Sequence, residues 1–190
     1  MQVKGIIFDF FGVIVAEVGH LWFEKHAPNQ LGKLQKTYFR QQDLGEISAD
    51  DLFGKLAELN HSNADRVREE WTKTAHLKQD AVDYIKELRE TYKIALLSNA
   101  ASSFIRHLLE KHGLAPIFDE VVISSEVRMA KPDRDIFELT LTHLNLLPQE
   151  TVFIDDNPAN IEGAKKIGIR GILFKDTQTL RNDLAPLLAL

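Results

Sequence analysis

Short apolar runs that end on a polar residue recur along this chain, with helical stretches between them. Residues 3–8 (VKGIIF) stop at Asp9, residues 93–97 (KIALL) stop at Ser98, and residues 151–154 (TVFI) stop at Asp155; residues 120–123 (EVVI) and 171–174 (GILF) complete the set. Runs of this length and character read as strands buried on both faces. Residues 102–111, 135–144, 159–167 and 179–188 space their apolar side chains at helical intervals. Strands that alternate with helices dictate a parallel sheet, because right-handed crossovers lay each helix back on a face of the sheet. The fold expected is α/β, with a doubly wound, parallel, Rossmann-like sheet.

One interval breaks the alternation. Residues 21–90 carry helical patterns alone, among them 49–59 with Ser48 as N-cap, 64–74 with Asn63 as N-cap, and 81–90. The stretch is too long for a crossover and too periodic for a loop, so it is expected as an inserted small all-helical cap. The expected division is a core of residues 1–15 and 81–190, with the cap at 16–80. An insert after the first strand lies over the carboxyl ends of the strands, where open α/β sheets bind ligands.

Composition then excludes chemistry. The 190 residues include no cysteine, which removes disulfides, thiol nucleophiles and thiolate zinc sites, so a metal must sit on oxygen or imidazole. The seven histidines show no paired ligand spacing. With 23 basic and 28 acidic residues the net charge is −5, which argues against electrostatic binding of nucleic acid or anionic membranes. The apolar start is interrupted at Asp9 and lacks a basic leader segment, and no run is long enough to span a bilayer. A soluble, cytoplasmic protein is expected.

Functional candidates cluster at the strand ends: Asp9, the pair Ser98 and Asn99, Lys131, and the pair Asp155 and Asp156. Each alone has a plain structural explanation. A strand-closing Asp forms turns, Ser98 and Asn99 suit a helix start, and Asn157 followed by Pro158 is a helix cap with proline in the first turn. Together they form a chemical inventory. Converging carboxylates repel one another, and a hard divalent cation such as Mg²⁺ relieves that repulsion with oxygen ligands. Lys131, the Ser98 hydroxyl and the amides opening the helix near Ala101 are complementary to a multi-oxygen anion. A carboxylate nucleophile, a cation, a lysine and a hydroxyl around one phosphate make a constellation for phosphoryl transfer through an aspartyl-phosphate.

The segments FDFFGVI from Phe8, LLSN from Leu96, AKPD from Ala130 and FIDDN from Phe153 resemble, in order, the four motifs of the haloacid dehalogenase superfamily. The resemblance spans the chain, and its helical insert looks like the small C1-type cap. Residues 155–168 (DDNPANIEGAKKIG) and the GEIS at Gly45 are most similar to the branch of bacterial sugar-phosphate phosphatases, α-D-glucose-1-phosphate phosphatases among them, and of the epoxide hydrolase N-terminal phosphatase domain. It implies Asp9 as nucleophile and Mg²⁺ ligand, Ser98 and Lys131 as phosphate-binding, and Asn99 as lining the pocket. It further implies Asp156 as a direct metal ligand, Asp155 as supporting the ion directly or through water, and the Phe11 carbonyl as completing the protein ligands. The implied partner is a small phosphorylated metabolite.

The chain departs from the resemblance at one position. Most phosphatases of the superfamily carry an acid/base Asp two residues after the nucleophile, and here that residue is Phe11. A phenyl ring neither gives nor takes a proton, a loss worth roughly 10²–10⁴-fold. Acyl, aryl or anomeric phosphates are therefore expected to be favoured over alkyl monoesters. The alternatives are a catalytically impaired phosphate-binding module and a metal-free haloacid dehalogenase using Asp9. A phosphonatase is weaker, since Lys25, Lys33, Lys36 and Lys55 form no recognisable Schiff-base motif. Glu17, His20, Trp22 and Arg40 are candidates for substrate contact, and Trp71 for the interior of the insert.

Overall fold

The computed structural model describes residues 2–188. Five strands, β1 (Gly5–Phe8), β2 (Lys93–Ser98), β3 (Glu120–Ile123), β4 (Thr151–Asp155) and β5 (Arg170–Leu173), form one parallel sheet in the order β3-β2-β1-β4-β5. The register places Phe8 beside Leu96 on one side and Ile154 on the other. The expected α/β architecture is therefore present. Strand ends move slightly from the sequence reading, because pairing sets the limits: Gly5 opens the ladder opposite Lys93 and Thr151, while Ser98 and Asp155 belong to it as last members.

Continuous apolar runs form here because both faces of the sheet are covered. Ile6, Phe8, Ile94, Leu96, Val152 and Ile154 pack on one face, and Ile7, Ala95, Leu97, Val122 and Phe153 on the other. The first face receives α6 (Gln79–Arg89) and α7 (Ser102–Lys111); the second receives α9 (Arg134–Leu144) and α10 (Pro158–Lys166). A short α8 (Ser124–Val127) follows β3, and α11 (Thr177–Leu188) closes the described chain.

Between β1 and α6 run α1 (Val18–His26), α2 (Leu31–Leu34), a π-helical turn (Gln35–Phe39), α3 (Arg40–Asp43), α4 (Ala49–Leu59) and α5 (Ala64–Thr74). The last two have the limits and caps expected. Ser48 and Asp51 form a reciprocal capping box, and the Asn63 side-chain Oδ1 accepts from the Arg66 N–H at 2.9 Å. Leu52, Phe53, Leu56, Val67 and Trp71 join the same apolar cluster as the first sheet face, so this segment packs against the sheet layer. The side chains of Lys33 and Lys36 lie outside those described. No helix among the described residues is long and apolar enough to cross a membrane.

Candidate active site

Chain direction reverses its spread at β1. After β1 the chain builds β2 and β3 on one side, then returns to β4 and β5 on the other. Such a switch leaves a crevice at the carboxyl ends of the central strands. Asp9 follows β1 directly, its backbone N–H donating to the Ile154 carbonyl at 2.9 Å, and its Oδ1 accepts from the Phe10 N–H at 2.6 Å. Ser98 and Asp155 end the strands on either side.

Lys131 joins these ends. Its ammonium lies 2.8 Å from Asp9 Oδ1 and 2.7 Å from Asp155 Oδ2, and the residue is 3% exposed. Asn99 clamps the lysine backbone from both sides: its Nδ2 donates to the Lys131 carbonyl and its Oδ1 accepts from the Lys131 N–H, each at 2.9 Å. Asp155 is fully buried and accepts further bonds from the Asn157 N–H at 2.8 Å and from Asn160 Nδ2 at 3.1 and 3.0 Å. Asn160 is not among the residues the sequence reading singles out; its signal is the run DDNPAN, in which the first turn of α10 folds back on the strand end.

Charge is out of balance in this cluster, with three carboxylates around one ammonium. Burial and then the Asp155 carboxylate push Asp9 well above the ordinary carboxylate range, against the pull of Lys131. Burial and Asp155 likewise push Asp156 up. Lys131 is raised because the two carboxylates outweigh its own desolvation, the largest single influence on it. Oxygens of Asp9, Asp155 and Asp156 lie within 4.8 Å of one another. An all-oxygen donor set with surplus negative charge fits a hard divalent cation. The turn after β1 uses the Phe10 carbonyl, which accepts from Ile14 and Val15 at 2.8 and 2.9 Å, and leaves the Phe11 carbonyl outside these bonds.

Gly12 makes room for this arrangement. Its φ is +80°, and a Cβ there would lie 1.9 Å from Asp156 Oδ2. Gly12→Ala is expected to lose about 1–2 kcal/mol from the backbone conformation alone and to displace Asp156. Thermal melts with and without Mg²⁺ check both effects, the second as a weakened Mg²⁺-dependent shift.

The Ser98 hydroxyl is buried with no hydrogen-bond partner among the described residues, an orphan that an anion oxygen would satisfy. The helix-start amides differ from expectation. The Ala100 N–H donates to Ser124 Oγ at 3.1 Å and the Ser102 N–H to Ser125 Oγ at 2.9 Å, so neighbouring serines take two of the donors assigned to an anion.

Above the strand ends opens a cavity of about 730 Å³. Asp9, Asn99, Lys131 and Asp156 line it from the sheet side; Phe39, Gln42, Asp43 and Trp71 line it from the segment between β1 and α6. Glu17 and His20 also face it, as expected, and withdrawal from bulk water followed by the charge of Asp156 pushes Glu17 up. Trp22 does not; it is buried with its ring against Phe23 and His26. Arg40 instead pairs with Asp133 at 2.6 Å. Trp71 is buried as expected but also borders the cavity, and its indole N–H has no partner among the described residues. Phe11 is half-buried, stacked on Phe104 at 6.0 Å and edge-on to Phe10 at 5.2 Å, with its ring in the cavity wall.

Residues 3–168 match the family described as haloacid dehalogenase-like hydrolase. The chain belongs to that family. It is 27% identical to the D-ribitol-5-phosphate phosphatase of Bacteroides thetaiotaomicron, over 98% of this chain and 99% of that one. It is 25% identical to a phosphorylated carbohydrates phosphatase of Thermotoga maritima, over 89% of this chain and 83% of the relative. A haloacid dehalogenase-family enzyme of B. thetaiotaomicron, solved in complex with magnesium and inorganic phosphate, has the same fold; the TM-score is 0.73 at 24% identity, with 92% of this chain and 95% of that one covered. Family membership makes this protein a hydrolase, and the four motif segments of the sequence lie at the ends of β1, β2 and β4 and at Lys131.

Proposed function

We propose that this protein is a Mg²⁺-dependent phosphohydrolase that cleaves a small phosphorylated sugar or polyol through an aspartyl-phosphate on Asp9. The observation that carries the reading is the buried Asp9–Lys131–Asp155 junction beside a Ser98 hydroxyl without a partner among the described residues, open to a cavity large enough for a small metabolite. The phosphatase relatives and the magnesium and phosphate complex of a structural neighbour support it.

Asp9, Asp155, Asp156 and the Phe11 carbonyl would hold the ion. When bound, Mg²⁺ offsets the carboxylate charge and polarises a phosphoryl oxygen. Asp9 attacks phosphorus, Lys131 and Ser98 hold non-bridging oxygens, and Asn99 keeps the lysine backbone in place. Asn160 and the Asn157 amide fix Asp155, which aims the lysine. Residues 16–80 act as the cap over a core of 1–15 and 81–190, and supply the walls that meet the leaving group. A metal-free dehalogenase would leave Asp156 beside two other carboxylates, with no ion-pair partner among the described residues.

Phe11 gives the leaving group no proton, so the reading favours leaving groups that depart readily as anions. In Mg²⁺, p-nitrophenyl phosphate or acetyl phosphate should turn over faster than glycerol phosphate, and Phe11→Asp should raise glycerol-phosphate turnover, by the roughly 10²–10⁴-fold of a general acid where no other carboxyl supplies the proton and by less where one does. Equal turnover of glycerol phosphate by the wild type sinks the preference. Ligand-induced stabilisation with no hydrolysis of any of these would mark a phosphate-binding module instead.

A further inference from the structure

An in-line displacement puts the leaving oxygen on the side of phosphorus away from Asp9, toward the cavity and the segment above it. With Phe11 in the place of the usual acid, residues 16–80, which wall the cavity above, are where another proton source can stand. Of the carboxyls lining the cavity, Asp9 is the nucleophile of the proposed reaction, Asp156 belongs to the cation site, and Glu17 lies toward Asp156, its strongest charged neighbour. Asp43 differs from all three. Its carboxyl group has no hydrogen bond or ion pair among the described residues, and its strongest charged neighbour is Lys131, which itself touches Asp9.

The position of Asp43 is held from both ends. It is the last residue of α3, whose first residue, Arg40, is tied to Asp133 at 2.6 Å, two residues beyond Lys131. Just past the helix, Gly45 has φ +69° and lies so close to the Ser125 carbonyl that a Cβ would sit 2.5 Å from it. Between these anchors the Gly45 N–H donates to the Gln42 carbonyl at 2.9 Å and the Glu46 N–H to the Gln41 carbonyl at 2.8 Å. The carboxyl thus enters the cavity from a helix end fixed to the phosphate-binding side of the core.

We propose that Asp43 is a catalytic residue of this hydrolase, the acid that protonates the leaving oxygen and the base that activates water, in place of the carboxyl missing at position 11. This rests on the aspartyl-phosphate reading. As an Asp9 oxygen bonds to phosphorus, the bond to the leaving oxygen breaks, its electron pair stays on that oxygen, and Asp43 supplies the proton. The Asp43 carboxylate then takes a proton from water as the water oxygen attacks phosphorus. The bond to Asp9 breaks, releasing phosphate and restoring both carboxyl groups.

Its environment suits both halves. Burial pushes the Asp43 carboxyl up to about 7, against the opposing charges of Lys131 and Arg40 and with Glu17 adding to the rise. Other charges nearby are engaged. Glu126 on α8, against which α3 packs, is held by Arg106 at 3.1 and 2.9 Å, and His20 at the cavity wall meets Glu24 at 3.1 Å.

The test compares wild type, Asp43→Asn and Asp43→Glu on glycerol phosphate and p-nitrophenyl phosphate in Mg²⁺ across pH. For wild type, kcat/KM on glycerol phosphate should fall as pH rises through about 7, because bond cleavage needs the protonated acid. Asp43→Asn should lose about 10²-fold on glycerol phosphate, lose that pH limb, and keep kcat/KM for p-nitrophenyl phosphate while showing a burst of p-nitrophenol as water attack slows. Asp43→Glu should regain part of the loss together with the limb. Wild-type-like turnover of glycerol phosphate by Asp43→Asn, or an equal loss on both substrates with the limb intact, overturns the assignment while leaving the aspartyl-phosphate reading in place. Activity that survives Asp9→Asn, or is missing from wild type, overturns both.

Discussion

Asp9→Asn is expected to lower kcat by on the order of 10⁴-fold or more on every phosphate ester, with the fold intact. The size follows from removing the covalent nucleophile, for which binding and electrostatic stabilisation alone cannot substitute. Folding should survive because the substitution is isosteric and relieves a local cost. Burial and Asp155 oppose the ionised form of Asp9, and a neutral amide avoids that opposition while its oxygen still accepts from the Phe10 N–H. In chelator, the variant should therefore melt at or above the wild-type temperature. Mg²⁺ should raise the melting temperature of wild type more than that of the variant, since one ligand charge has gone. Steady-state kinetics and melting curves over a Mg²⁺ titration check both. A variant as active as wild type removes Asp9 from the chemistry; one that melts far below wild type shows that the carboxylate is needed for folding instead.

The parts that sequence made legible are those whose physics is local. Ser48 and Asp51 stand three residues apart and can satisfy each other's backbone N–H groups without help from the rest of the chain, so the start of α4 follows from the pattern. Buried parallel strands are written as unbroken apolar runs, and the polar residues that end them, Asp9, Ser98 and Asp155, fall at one edge of the sheet. What escaped depends on packing between distant segments. Asp43 looks like an ordinary polar residue before a glycine turn until Arg40 reaches Asp133, 93 positions away, and brings α3 over the strand ends. Ser124 and Ser125 take the Ala100 and Ser102 amides only because β3 lies beside β2. Trp22 and Trp71 stand on similar helical patterns, and only the tertiary arrangement puts Trp71 at the cavity and Trp22 away from it.

Lys131→Met should be the most damaging single substitution for stability. The lysine touches two buried carboxylates, and its removal leaves both without their counter-charge in a site that water barely reaches. Breaking a buried ion pair from one side costs about 3–5 kcal/mol, which at roughly 2–4 °C per kcal/mol for a chain of this size means a melting temperature lower by about 6–20 °C. Phosphate turnover should fall with it, since the same ammonium would hold the phosphoryl oxygens. Two further measurements separate charge from simple loss of packing. Added Mg²⁺ should stabilise Lys131→Met more than wild type, because the cation replaces a missing positive charge among Asp9, Asp155 and Asp156. Lys131→Met combined with Asp155→Asn should be more stable than the sum of the two single changes predicts, by about 0.5–3 kcal/mol, because the amide leaves no anion opposite the methionine. If Lys131→Met melts like wild type in chelator, the buried charges are balanced by something other than this lysine, and the electrostatic account of the site falls with it.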